Sequence, residues 1–127
     1  MQILGNILLA GAGGFVGSAA RYSVSLLVKG LGWEWKWPLV TFVVNLLGSL
    51  LIGVLWAKAV QLPDPRLILT LGVAGFCGGF TTFSAFSLEV VELLKAGDYG
   101  LGLLYIAASI VLCAGGAFLG MALVKGW

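Results

Sequence analysis

Charged residues are scarce in this sequence, and histidine is absent altogether. Of the 127 residues, seven are Lys or Arg and five are Asp or Glu, so only 9% are charged while 61% are hydrophobic. Soluble domains carry about 25% charged residues, and a surface that faces water cannot be built from so few. The bilayer must therefore solvate most of the chain, which excludes a soluble enzyme.

The shortage of metal-binding side chains excludes further classes. Only two cysteines are present, Cys77 and Cys113, and both lie inside apolar segments. We interpret them as small buried residues rather than as a disulfide or a metal site. Without histidine or a closely spaced cysteine pair, transition-metal chemistry is not expected. The net charge of +2 includes no basic run, so nothing indicates that the protein binds nucleic acid.

Long apolar stretches make up most of the sequence. A membrane-spanning helix needs about 20 mainly apolar residues, and the chain has room for four, joined by short polar turns. We predict an all-α membrane protein with a single domain over residues 1–127. The approximate spans are residues 3–28, 39–60, 67–94 and 99–124. Trp33, Trp35 and Trp37 alternate in the first loop, which is expected at the membrane surface because tryptophan prefers the headgroup region.

Basic residues are divided evenly between the two membrane faces. Four spans place three on each face: Lys58, Arg66 and Lys125 on one, and Lys29, Lys36 and Lys95 on the other. An excess of Lys and Arg on the cytoplasmic side normally orients a membrane protein, and here there is no excess. Either other cues select one orientation, or both orientations insert and form an antiparallel, dual-topology homodimer.

The third predicted span contains a segment with weak helix propensity. It runs from Gly75 to Ser87, GFCGGFTTFSAFS, and its glycines, threonines and serines disfavour a helix where lipid requires one. Two interpretations stay open. The helix is broken near its middle and its free carbonyl groups bind a hard cation such as Na⁺, or it is unbroken and packs closely on a neighbouring helix.

Aromatic and neutral polar side chains recur on the helical faces of the spans. Phe83 and Phe86 share a face of the third span. Such a pair usually means plain packing, although ring edges carry partial positive charge and can solvate a small anion. Polar residues at steps of four either join helices or line a polar path. They are Thr41 and Asn45 in the second span, and Tyr105, Ser109 and Cys113 in the fourth.

The first span combines small residues with a single charge. Gly13 and Gly17 form a GxxxG pair, as Gly116 and Gly120 do in the fourth span, and such pairs let helix backbones approach in lipid. Arg21 is the formal charge that lies deepest in a predicted span. It either has a function there or extends its side chain toward the interface.

Three motifs together resemble the Fluc (CrcB) family of fluoride channels. They are GFCGGFTTFSAFSLE from Gly75 to Glu89, the VN-L-G pattern around Asn45, and Gly-Ser-Ala-Ala-Arg ending at Arg21. The resemblance extends over the whole chain. It implies a fluoride-selective ion channel rather than an enzyme. Such a channel is an antiparallel homodimer with two pores that exports fluoride passively from the cytoplasm, and a multi-pass protein of the cell membrane (the inner or plasma membrane).

The resemblance also implies roles for individual residues. A structural sodium ion that is not transported would bind at the dimer centre to the backbone carbonyl groups of Gly78 and Thr81. The aromatic rings that line the fluoride path would be Phe83 and Phe86. The other implied positions are Thr41, Asn45, Ser84, Tyr105 and Ser109 beside the pore and Arg21 in the first helix. Cys113 departs from the serine of some relatives, and a thiol is a weaker donor than a hydroxyl.

Two other functions remain open on the sequence. A small multidrug antiporter is also a dual-topology protein of four helices, but it needs a membrane-embedded carboxylate, and the first span has none. A non-transporting accessory subunit would have no pore at all. Liposomes that contain only this protein separate these functions, because a channel should release fluoride and an accessory subunit should release nothing.

Overall fold

Four long apolar helical segments account for nearly all of the computed structural model, which describes residues 2–32 and 38–125. They are α1 (Gln2–Gly30), α2 (Leu39–Ala59), a third span (Ile68–Lys95) that contains a π-helix (Ile68–Cys77), α3 (Gly78–Phe80) and α4 (Phe83–Lys95), and finally α5 (Tyr99–Lys125). Each segment is long enough to cross a hydrocarbon core of about 30 Å. The prediction of four long apolar helices is confirmed, and the chain is a multi-pass membrane protein. The predicted surface residues Trp33, Trp35 and Trp37 lie outside the described residues, as does Lys36.

The outer surface of this bundle is apolar. Large side chains such as Phe15, Ile110 and Leu123 are more than half exposed in the single chain. A soluble monomer rarely exposes a continuous apolar surface of this kind. Lipid or a second copy of the chain must therefore cover it.

Glycines bring the helices together in two pairs. Gly13 and Gly17 of α1 lie against the third span, where a Cβ atom at Gly17 would collide with the backbone of Phe76. Gly116 and Gly120 of α5 lie against α2 in the same way. Contacts between α1 and the π-helix and between α2 and α5 dominate the packing of the described chain. Both GxxxG pairs thus pack helices within one chain.

The third span departs from regular α-helical geometry in two places. Its first part, Ile68–Cys77, is a π-helix, a wide form that is rare and often occurs at functional sites. Further along, α3 ends at Phe80, and the next two residues are extended. Thr81 has φ −88° and ψ 158°, and Thr82 has φ −151° and ψ 117°. Helix α4 begins directly afterwards at Phe83.

Lysine residues occupy the last turn of all four long segments. They are Lys29 in α1, Lys58 in α2, Lys95 in α4 and Lys125 in α5. A cation at a helix C-terminus is favourable because the macrodipole is negative there. Since successive spans alternate in direction, this pattern gives each membrane face the same number of these lysines.

Candidate functional site

The extended residue Thr82 is held by a side chain from another helix. The Oδ1 atom of Asn45 in α2 accepts a hydrogen bond of 2.8 Å from the Thr82 N–H, and its Nδ2 donates one of 3.1 Å to the Thr82 carbonyl oxygen. The amide therefore pairs with both backbone groups of one residue, as a neighbouring β-strand would. A polar group in hydrocarbon is costly unless it is hydrogen-bonded, and this reciprocal pair satisfies both partners.

Thr82 is also the N-cap residue of α4. Its Oγ1 atom accepts a hydrogen bond of 3.2 Å from the Ala85 N–H, which is the usual bond of a threonine N-cap. The exposed Ser84 lies beside it, with its Oγ atom 3.1 Å from the Thr82 Oγ1 atom. Thr82 was not singled out from the sequence. The available signal was a good N-capping residue immediately before the helical run from Phe83.

The backbone carbonyl groups of Gly78 and Thr81 are among those that lose their helical partners at this point. In a continuous α-helix, the N–H of Thr82 would reach the carbonyl of Gly78, and that of Ala85 would reach the carbonyl of Thr81. Both N–H groups bind side-chain oxygens instead. Unwound backbone carbonyls at membrane depth are the ligands that sodium sites of transporters use. The chemistry of the Gly78 and Thr81 carbonyl groups therefore fits a sodium ion, to which a single chain would supply these two oxygens.

Arg21 lies against the same part of the third span. Its Nε atom donates a hydrogen bond of 3.1 Å to the carbonyl oxygen of Gly79, and the Ser18 hydroxyl lies 3.5 Å from that oxygen. The arginine also lines a cavity of about 380 Å³ together with Thr41, Thr82 and other residues. Its position against the carbonyl of Gly79 joins α1 to the third span next to the extended residues.

A cavity of about 370 Å³ adjoins the extended residues on the side of α2 and α5. Four of the side chains singled out from the sequence line it: Asn45, Phe83, Phe86 and Ser109. Gly78, Thr81 and the two cysteines line it as well. None of the described residues that line this cavity carries a formal charge. The cavity wall is therefore built from neutral donors, aromatic rings and backbone.

The aromatic residues form a short chain that runs from the surface into the bundle. The ring centroids of Phe83 and Phe86 are 5.4 Å apart with an interplanar angle of 40°, and those of Phe86 and Tyr105 are 5.0 Å apart at 57°. Phe86 and Tyr105 are buried, whereas Phe83 is 78% exposed in the single chain. One side of the cavity is thus open in a single chain.

Ser109 contributes a buried hydroxyl group to this cavity. The residue is 8% exposed, and its Oγ atom has no hydrogen-bond partner among the described residues. Leaving a buried polar group without a partner costs about 1–3 kcal/mol, so such a group needs an explanation. A ligand or a water molecule in the cavity would satisfy it.

Thr41 and Tyr105 lie in a neighbouring cluster around Glu89. Thr41 Oγ1 and Tyr105 OH each donate a hydrogen bond of 2.9 Å to this carboxylate, one to Oε2 and the other to Oε1. The cluster connects α2, α4 and α5. Sequence reasoning missed the central position of Glu89. The carboxylate is 48 and 16 residues from its two partners, and local periodicity carries no signal over such separations.

Comparison with known proteins identifies the family to which the chain belongs. Residues 8–121 match the sequence model of one family, described as CrcB-like protein, Camphor Resistance (CrcB). The chain belongs to the CrcB family. It is 42% identical to the fluoride-specific ion channel FluC of Ruminiclostridium cellulolyticum, over 98% of this chain and 96% of that protein. It is 45% identical to the fluoride-specific ion channel FluC of Chlorobaculum tepidum, over 99% of both proteins, and 44% identical to that of Methylobacillus flagellatus, over 94% of both.

The family membership confirms the resemblance seen in the three sequence motifs. All three lie within the matched residues 8–121. In this CrcB-family structure the motifs also meet in space. Asn45 binds Thr82, and Arg21 binds Gly79, so the motifs of α1 and α2 both contact the Gly75–Glu89 motif.

Proposed function

We propose that this chain is a fluoride-selective channel through which fluoride leaves the cytoplasm passively. The observation that carries the proposal is the uncharged cavity beside the extended residues, in which Ser109 presents a buried hydroxyl without a partner among the described residues. The names of the similar CrcB-family proteins, which are fluoride-specific ion channels, support the choice of anion.

The cavity chemistry suits an anion that holds its water tightly. A pore for fluoride must replace much of the hydration shell with other partners. Ser109 offers its hydroxyl, Asn45 has a second N–H beyond the one that Thr82 accepts, and Phe83 and Phe86 offer ring edges. Several weak partners favour conduction over one strong charge, because an ion that binds too tightly does not leave.

A second copy of the chain would complete this path. Phe83 lines the cavity yet is 78% exposed in the single chain, so the cavity lacks a wall on that side. The equal distribution of loop Lys and Arg residues between the two faces favours a partner in the opposite orientation. An antiparallel homodimer would have two equivalent cavities and hence two pores.

The sodium ion is the second part of the proposal. The carbonyl groups of Gly78 and Thr81 would hold it, and the antiparallel partner would supply the same pair. A bound sodium ion neutralises carbonyl dipoles that would otherwise face each other at the centre of the dimer. Its role here is structural, and it is not transported.

The remaining residues implied by the resemblance lie around the cavity rather than at its centre. Thr41 and Tyr105 bind Glu89 and place a rigid aromatic wall behind Phe86. We propose that they shape the pore. Ser84 contacts Thr82, and Arg21 contacts Gly79 just before the extended residues. We propose that both residues lie near the pore entrance.

Fluoride efflux from liposomes tests the function directly. The purified protein alone is reconstituted in liposomes loaded with potassium fluoride, and valinomycin is added to balance charge. A channel releases fluoride, measured with an electrode, and leaves chloride inside in a matched preparation. Release of neither anion would contradict the proposal and favour an accessory subunit. Proton-driven uptake of ethidium without fluoride release would favour an antiporter, with Glu89 as its carboxylate.

A further inference from the structure

We infer that the side chains of Asn45 and Thr82 are positioning residues, which create the cation site by removing two N–H groups from the carbonyls of Gly78 and Thr81. The inference rests on the proposed structural sodium ion. It gives Asn45 a role in addition to lining the cavity, and it assigns a role to Thr82.

Each diverted N–H group matches one of the two carbonyl groups. Thr82 lies four positions after Gly78, and Ala85 lies four positions after Thr81, which is the spacing of α-helical hydrogen bonds. The Thr82 N–H donates to Asn45 Oδ1 at 2.8 Å, and the Ala85 N–H donates to Thr82 Oγ1 at 3.2 Å. The two diverted N–H groups are therefore the natural partners of the two carbonyls that would hold the ion.

The alternative state of this segment is a continuous helix. Helical structure is present on both sides of the extended residues, in α3 and in α4. Hydrocarbon offers no hydrogen bonds, so a span without other partners closes into a continuous helix. If the Asn45 amide and the Thr82 hydroxyl were absent, both N–H groups would return to the carbonyls and the cation ligands would be lost.

The carbonyl of Gly79, which follows Gly78 directly, is not available to the ion. The carbonyl oxygen of Gly79 accepts a hydrogen bond from Arg21 Nε at 3.1 Å. A carbonyl that is paired with a guanidinium is a poor ligand for a cation, because the two positive charges repel. Arg21 thus covers the carbonyl of Gly79, whereas Asn45 and Thr82 leave those of Gly78 and Thr81 exposed for binding.

The test measures sodium binding through stability rather than through transport. The full-length protein is purified without sodium, and its thermal unfolding midpoint is followed as sodium chloride replaces N-methylglucamine chloride. A ligand that binds only the folded state raises this midpoint. We expect Thr82→Val, which keeps the shape but loses the acceptor, to need at least about ten-fold more sodium than the wild type for the same shift. Thr82→Ser, which keeps the hydroxyl, should behave like the wild type.

Two further variants complete the design. Asn45→Leu removes both bonds to Thr82 and should abolish the sodium-dependent shift. Thr70→Val makes the same chemical change as Thr82→Val but in the π-helix of the same span, and it should leave the shift unchanged. If Asn45→Leu does not fold, the contrast between Thr82→Val and Thr82→Ser decides the question.

The outcomes separate this inference from the proposal on which it rests. If sodium stabilises the wild type and stabilises Thr82→Val and Asn45→Leu at the same concentrations, the inference is overturned and the sodium site stands. If sodium does not stabilise even the wild type more than N-methylglucamine does, both are overturned. Loss of the shift in Thr82→Val and its return in Thr82→Ser support the inference, because a merely structural threonine would lower the midpoint without changing its dependence on sodium.

Discussion

Phe83 and Phe86 are three positions apart in α4 but differ in solvent exposure. Phe83 is 78% exposed in the single chain, and Phe86 is 8% exposed. A ring as exposed as Phe83 contributes little to the packing of one chain, so its substitution separates a role in the pore from a role in the core. Phe86 contacts both Phe83 and Tyr105, so its substitution affects both.

Replacing Phe83 with isoleucine tests the aromatic part of the mechanism. Isoleucine keeps much of the bulk but has no quadrupole. We expect fluoride efflux from liposomes to fall by about 10-fold or more, since about 1.4 kcal/mol at the barrier suffices, while the protein remains folded. Phe86→Ile should lose efflux to a similar extent and also lower the unfolding midpoint.

Phe15→Ile is the matched control, because Phe15 of α1 is 76% exposed and does not line the cavity. It should conduct at the wild-type rate. Methionine at position 83 or 86 is a second comparison, because its polarizable thioether adapts to irregular gaps. Wild-type efflux from both isoleucine variants would show that the rings only fill space.

The Glu89 cluster predicts non-additive effects on stability. Tyr105→Phe and Thr41→Val each remove one of the two hydroxyl donors to this carboxylate, and each should cost about 1–3 kcal/mol. Because both act on the same acceptor, the cost of the double variant should differ from the sum by about 0.5–3 kcal/mol. Unfolding in detergent measures all three variants. Tyr99→Phe in the same helix, where the tyrosine is 64% exposed, should be neutral, and strict additivity would argue against the cluster.

At the scale of the elements, the helices approach one another most closely where a glycine lies against the backbone of a neighbouring helix. A Cβ atom at Gly120 would meet the carbonyl oxygen of Leu50 and the backbone nitrogen of Val54. These atoms cannot move without displacing α2. We expect Gly120→Ala to destabilise the protein by about 1–3 kcal/mol, as overpacking does, although alanine is the better helix former.

Gly100→Ala serves as the control in the same helix, because a Cβ atom there meets nothing within 4 Å. It should be neutral or slightly stabilising. Thermal unfolding of the two variants in detergent gives the comparison. Equal stability would mean that α2 and α5 do not pack as closely as the structure has them.

The elements also show how far the sequence alone can predict this structure. The four spans were predictable because the requirement for about 20 apolar residues is local. The π-helix of Ile68–Cys77 was not predicted, since the length and apolar composition of a span do not specify the width of its helix. The partners of Thr82 and Glu89 were not predicted either. Asn45 is 37 residues from Thr82, and only the folded bundle brings them together.

At the scale of the whole molecule, the distribution of lysines predicts how the chain responds to added charge. Adding a pair of lysines to the turn between α2 and the third span should force one orientation, since a basic excess marks the cytoplasmic side. That variant alone should release no fluoride from liposomes. A second variant with the pair added next to Lys95 should take the opposite orientation.

Mixing the two biased variants should restore efflux, because each supplies the partner that the other lacks. Accessibility of an added cysteine next to Lys125, measured from each side of the membrane, reports the orientation of each variant. Full efflux from one variant inserted in a single orientation would exclude the antiparallel dimer.

The extended geometry of Thr82 depends on a partner that belongs to another helix. While the third span is alone in lipid, its backbone groups at this residue have no Asn45 to bind, and a continuous helix is the state that satisfies them. We therefore expect the span to enter the bilayer as an unbroken helix and to open only when α2 packs against it. A synthetic peptide of residues 68–95 in lipid, labelled with ¹³C at the Gly78 carbonyl, should show the infrared frequency of a helix. A non-helical frequency in that peptide would contradict this order of events. During biogenesis, the ion-binding geometry would then appear at the moment of helix assembly, so a chain that has inserted but not yet assembled would be unable to bind the ion.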